Sequence, residues 1–188
     1  TKTFYGPMQM RSTGFLPLNR TNKSNIAASE LDNYFRKELI QGSVHDEGAS
    51  TMGGIAGHAG LFSNATDIAK LYMMLLNGGQ WDGQNYLKPS TINLFTSYQS
   101  PTSRRGLGFD KTARDNASSK DPYPSLSAPA SVFGHTGFTG TSMWADPENK
   151  LTYIFLSNRV YPIATNNTLL DLGTRTKIHD LIYESIEK

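Results

Sequence analysis

The run Val132-Phe133-Gly134-His135-Thr136-Gly137-Phe138-Thr139-Gly140 sets three kinds of chemistry side by side. His135 offers an imidazole, Thr136 a hydroxyl, and Gly137 a piece of backbone that no side chain shields. On a strand edge, such a triplet suits recognition of an acyl group beside a serine nucleophile. Acyl transfer also needs an activated hydroxyl, a base and donors for the developing oxyanion. The sequence does not offer a credible nucleophile and base. A Gly-x-Ser-x-Gly elbow, Tyr-x-Asn and Ser-x-Asn are all absent. Ser-x-x-Lys occurs only as Ser185-Ile186-Glu187-Lys188, at an end expected to fray. Thr174-Arg175-Thr176-Lys177 has the same spacing but opens an ordinary amphipathic pattern.

A second triplet, His58-Ala59-Gly60, runs into a helix start rather than a hairpin, which suits a histidine bonded within a glycine loop. His45, Asp46 and His58 could be imagined as metal ligands, but no pair has helical ligand spacing and cysteine is absent. No metal and no cofactor is expected.

Composition narrows the classes. The chain has 188 residues, enough for one domain with a real core. Its net charge of +2 is too small to argue for a nucleic-acid partner. No apolar run reaches membrane-spanning length. Zero cysteine excludes disulfides and thiolate chemistry, and suits a periplasmic or secreted bacterial protein. The opening Thr1-Lys2-Thr3, without initiator Met or signal peptide, reads as part of a longer or processed protein.

The elements that would position the triplet follow from periodicity. Residues 1–30 read as an extended connection and Leu31 to Ile40 as an irregular helix stopped by Gly42. Residues 43–62 form a glycine-rich loop. A helix capped by Ser63 or Thr66 follows, with Ile68, Leu71, Tyr72, Leu75 and Leu76 on one face, ended by Asn77-Gly78-Gly79. Trp81-Asp82-Gly83-Gln84 is a tight turn, and Pro89 opens a short helix with Ile92 and Phe95 inward. Residues 110–130 are a polar loop or flap. Strands are expected at 132–136, 140–146 and 151–157, the last two joined by Asp146-Pro147-Glu148-Asn149, with Leu151 to Leu156 as a buried central strand. A closing helix starts near Leu169 and turns Ile178, Leu181, Ile182 and Ile186 to one side. The order implies an α+β domain, an antiparallel sheet flanked by helices. Residues 1–62 form its lead-in, 63–130 its helices and flap, and 131–188 its strands and closing helix.

Four stretches, in order, carry a resemblance: residues 53–69 from Gly53 to Ala69, Gly106-Leu107-Gly108-Phe109, Phe133 to Gly140, and Asp146-Pro147-Glu148. On them the chain resembles the C-terminal half of the serine beta-lactamase and penicillin-binding-protein superfamily, in its class C and esterase-like branch. Similar proteins occur alone or fused to a family 3 glycoside hydrolase module. The resemblance implies that His135-Thr136-Gly137 is the family's third motif, lining the strand beside the nucleophile. It implies that the backbone amide of Phe138 donates to the oxyanion. Ser-x-x-Lys and Tyr-x-Asn would then lie upstream of Thr1.

Two functions are therefore expected to compete. One is a serine hydrolase segment cleaving an amide or ester through an acyl-enzyme, with a small-molecule or peptide substrate. The other is a non-catalytic accessory module attached to a glycoside hydrolase.

Overall fold

A computed structural model describes residues 2–186. The elements in chain order are β1 (Glu30–Leu31), β2 (Leu39–Ile40), α1 (Glu47–Thr51), α2 (Ala65–Leu76), β3 (Gln80–Trp81), β4 (Gln84–Asn85), α3 (Pro89–Thr96), β5 (Asp110–Lys111), β6 (Phe133–Thr136), β7 (Ser142–Asp146), β8 (Leu151–Phe155), α4 (Thr168–Asp171) and α5 (Thr174–Ile186). Strands β5 to β8 form a four-stranded antiparallel sheet in sequence order. The α+β arrangement read from the sequence is the one observed.

Side-chain alternation gives the sheet two apolar faces. Phe133 and Ala145 join Tyr72, Met74 and Leu75 of α2, together with Met8, Met10 and Ile92. Val132, Trp144 and Tyr153 join Tyr183, with Ile178 and Ile182 packed around them from α5. Each large side chain buried this way contributes about 1.5–3 kcal/mol. The β7–β8 hairpin turns at Asp146, whose buried carboxylate accepts from Glu148 N at 2.8 Å, Asn149 N at 3.2 Å and Asn149 Nδ2 at 2.8 Å. Tyr183 Oη adds a fourth donor at 2.8 Å, tying α5 to the same turn.

Several expectations are corrected. Leu31 to Ile40 is not a helix. Its ends pair as strands β1 and β2, and Asp32 diverts the middle by accepting from the Tyr34, Phe35 and Arg36 amides. That local competition with the helix ladder is typical of aspartate. Helix α2 is capped by Asn64, which accepts from Asp67 N at 2.8 Å, while Ser63 bonds Thr13 instead. Phe95 is 43% exposed, so only Ile92 faces inward on α3. The 110–130 segment is not a free flap: it starts with β5, and Asn116 fastens it through Ser125 O at 2.7 Å and Tyr123 N at 2.8 Å. β8 lies at the sheet edge rather than its centre, with Leu156 exposed beyond it.

The closing helix breaks at Gly173 into α4 and α5. Its buried positions are His179 and Tyr183, with Ile178 and Ile182 partly buried, whereas Leu181 and Ile186 face out. The core stripe therefore includes a histidine that hydrophobicity alone could not place. Glu187 and Lys188, the end of the terminal Ser-x-x-Lys spacing, lie outside the described residues.

Candidate active site

β6 is held between β5 and β7, with His135 opposite Met143 and Thr136 opposite Ser142. The chain then makes a tight turn, closed by Gly137 N to Thr141 O at 2.8 Å and Gly140 N to Gly137 O at 3.0 Å. Side-chain-free backbone suits both ends. A Cβ on Gly137 would meet Thr141 Oγ1 at 2.4 Å, and Gly140 sits at φ +108° with Ser157 Oγ against its open side.

The segment after β8 grips this turn. Phe138 O accepts from Arg159 Nε at 2.8 Å, Thr139 O from Arg159 N at 2.9 Å, and Gly140 O from Ser157 Oγ at 2.9 Å. The carbonyls of residues 138–140 are thus all occupied. The amides of Phe138 and Thr139, by contrast, have no acceptor among the described residues. An unpartnered N–H next to a cleft is the kind of donor an oxyanion can use.

Phe138 is 65% exposed, its ring stacked on His45 with centroids 5.7 Å apart and covered by the Arg159 guanidinium at 4.4 Å. A cleft of about 1570 Å³ runs along Phe138, Thr139 and Thr141 and is walled by Tyr34, His45 and His58. His135 lies outside this lining, half-buried at the end of β6.

Hydrogen bonding fixes the tautomer of His135. Nδ1 is 2.7 Å from Thr136 O, a carbonyl that can only accept, so the proton sits on Nδ1. Nε2 then accepts from Arg105 Nη1 at 3.0 Å. Arg105 also stands 2.7 Å from Asp110 Oδ1, although its N–H is not aimed at that oxygen, so this is a close ion pair without a hydrogen bond. Arg104 lies 3.7 Å from the same carboxylate. Two guanidinium groups face one carboxylate, so positive charge remains beside His135.

Thr136 points to the opposite face of the sheet, as alternation requires. Its Oγ1 is 3.4 Å from Tyr123 Oη, which donates to Asp110 at 2.7 Å and packs edge-on against Trp144. Burial first, then the bond to and charge of Asp110, push the Tyr123 hydroxyl pKa up, so it stays protonated as a donor.

His45 and His58 each take a separate carboxylate. His45 Nε2 is 2.7 Å from Glu30, and His58 Nε2 is 3.0 Å from Asp46. Asp46 also caps α1 through Ala49 N at 2.7 Å, and that amide, followed by His58, lowers its carboxyl pKa. Among the described residues no three His, Asp or Glu side chains converge as metal ligands. Nor does any serine hydroxyl hydrogen-bond a lysine or histidine side chain among them. Ser142 accepts from Trp144 Nε1, and Ser131 donates to Glu148. Sequence reading missed Arg105 as a neighbour of His135, and Arg159 and His45 as neighbours of Phe138. All three come from distant positions, and neither the Arg104-Arg105 pair nor the lone Arg159 carries a spacing signal toward the site.

The comparisons with known proteins bear on the same region. The Beta-lactamase family model matches residues 2–174. A provisionally named D-alanyl-D-alanine carboxypeptidase of Escherichia coli (strain K12) is 37% identical over 176 residues, covering 87% of this chain and 40% of the relative. A relative of the same name from Salmonella enteritidis is 34% identical over 206 residues, covering 98% of this chain and 47% of the relative. The chain thus spans less than half the length of these curated relatives. A solved Bacteroides dorei structure, provisionally titled a beta-lactamase, is 15% identical with a TM-score of 0.48, over 93% of this chain and 49% of that one. With most of its length matched by the family model, the chain belongs to the beta-lactamase family, within the serine beta-lactamase and penicillin-binding-protein superfamily.

Proposed function

We propose that this chain carries the strand-and-turn half of a serine acyl-hydrolase site that cleaves an amide or ester through an acyl-enzyme. The Phe138 amide receives the oxyanion as the acyl carbonyl goes tetrahedral. His135, held by Thr136 O and Arg105, presents a fixed polar group at the strand end. Thr136 and Gly137 complete that edge, Gly137 by letting the turn close against Thr141. The serine and its base come from the remainder of a longer polypeptide. The reaction uses no cofactor, because the nucleophile, its base and the backbone donor suffice for acyl transfer.

One observation carries this reading. At residues 138–140 every carbonyl is engaged, while the Phe138 amide is left without an acceptor beside the cleft. The names of the relatives favour peptides ending in D-alanine as the substrate class, and with them a periplasmic or secreted setting. The test uses the longer polypeptide containing this chain. It should hydrolyse an activated ester or a peptide ending in D-Ala-D-Ala, and His135→Ala should slow it by roughly ten- to a thousand-fold. A longer polypeptide that binds such peptides without turnover would instead favour a non-catalytic accessory module.

A further inference from the structure

We infer that Arg159 is the positioning residue that aims the Phe138 amide at the reacting carbonyl. This rests on the acyl-transfer reading above and deepens it. Arg159 uses three separate features on the turn. Its Nε donates to Phe138 O at 2.8 Å, its backbone N–H donates to Thr139 O at 2.9 Å, and its guanidinium plane lies 4.4 Å over the Phe138 ring. The other end of the fork is anchored. Nη1 reaches Ala164 O at 3.0 Å, Asn166 O at 3.1 Å and Asn167 Oδ1 at 3.3 Å.

Arg159 therefore joins the 137–140 turn to the 164–167 loop through one planar group. The Phe138 carbonyl and ring are both fixed by it, and those two constraints set the rotation of the preceding peptide group. His45 also stacks on the ring, itself held by Glu30 at 2.7 Å. The half-buried guanidinium has no carboxylate partner among the described residues. Its charge is answered by carbonyls and a ring face, so net positive potential remains beside the oxyanion position.

A lysine cannot replace this. Its ammonium is a point donor without a plane, so it cannot donate to Phe138 O, reach the 164–167 carbonyls and cover the ring at once. The requirement is geometric as well as electrostatic, which separates Arg159 from a general surface cation.

The experiment has two readouts. In the longer polypeptide, Arg159→Lys should lower kcat by roughly ten- to a hundred-fold with KM little changed, because the oxyanion donor acts chiefly in the transition state. In the 188-residue chain, amide hydrogen exchange at Gly137 and Gly140 should speed up in Arg159→Lys while β7 amides stay protected. A second variant, Phe138→Ala, keeps the amide and Arg159 Nε but removes the ring, and should show a smaller fall in kcat. Unchanged exchange at Gly137 and Gly140, or unchanged kcat with active enzyme, overturns the assignment. If the wild-type longer polypeptide performs no acyl transfer, the acyl-transfer reading fails and the catalytic half of this inference with it. The exchange readout still decides whether Arg159 holds the turn.

Discussion

His179 should make the stability of this protein depend on pH in a way that one substitution removes. The ring is 1% exposed and lies between Tyr153 and Tyr183, with centroids 4.3 Å and 5.1 Å away. Its Nδ1 has no hydrogen-bond partner among the described residues. Burial pushes its pKa down from 6.5 to about 4, against a smaller opposing pull from Asp180 and Asp146. Between those values the unfolded chain holds a proton that the folded chain does not. Stability therefore rises with pH through this window, is complete above about 6.5, and is lost as pH falls toward about 4. At about 1.4 kcal/mol per pH unit, the gap amounts to about 3 kcal/mol.

The assay is urea unfolding followed by the fluorescence of Trp81 and Trp144 at several pH values from 4 to 7.5. His179→Phe keeps an aromatic ring between the tyrosines and removes the titrating group. Near pH 7 it should stay within about 1.5 kcal/mol of the wild type, as expected for a swap of similar volume. The difference between the two proteins should then shift in favour of the variant by about 3 kcal/mol on going down to pH 4. Carboxylates contribute to both proteins alike, so the difference isolates the imidazole. Parallel pH profiles would refute the claim that His179 is buried in its neutral form.

Two further perturbations read the sheet. Asp146→Ala removes the acceptor for four hydrogen bonds at the β7–β8 turn and α5, and should lower stability by about 1.5–3 kcal/mol in the same assay, chiefly through the buried Tyr183 hydroxyl. Lys111 is buried under Tyr98 with its ammonium bonded to Ser131 O and Val132 O, and desolvation lowers its pKa to about 8. The unfolded chain holds this proton up to about 10.5, so stability should gain from Lys111 as pH rises from about 8 to 10.5. Lys111→Met should abolish that gain, measured as the difference in unfolding midpoint.

The strands around the triplet were legible because two-residue periodicity and the Asp146 turn mark them locally. β6, β7 and β8 fall within a few residues of their expected bounds. The 31–40 segment misled because Leu31, Tyr34, Phe35 and Leu39 have helical spacing, yet all four are exposed and Asp32 organises the backbone between them. The closing helix misled for the converse reason. His179 is buried by stacking on two tyrosines, a tertiary effect without a sequence period. At the candidate site the triplet was visible, but its neighbours were not. Arg105 reaches His135 from thirty residues before it, and Arg159 reaches Phe138 from twenty-one residues after it.

Covalent labelling tests the central claim most directly. The 188-residue chain and the longer polypeptide containing it would each be incubated with a fluorescent penicillin and weighed as intact proteins. The account predicts one adduct on the longer polypeptide and none on the short chain, because the Phe138 amide can only stabilise a transfer that a nucleophile has begun. A stoichiometric mass shift on the short chain alone would contradict it and place the nucleophile among residues already described.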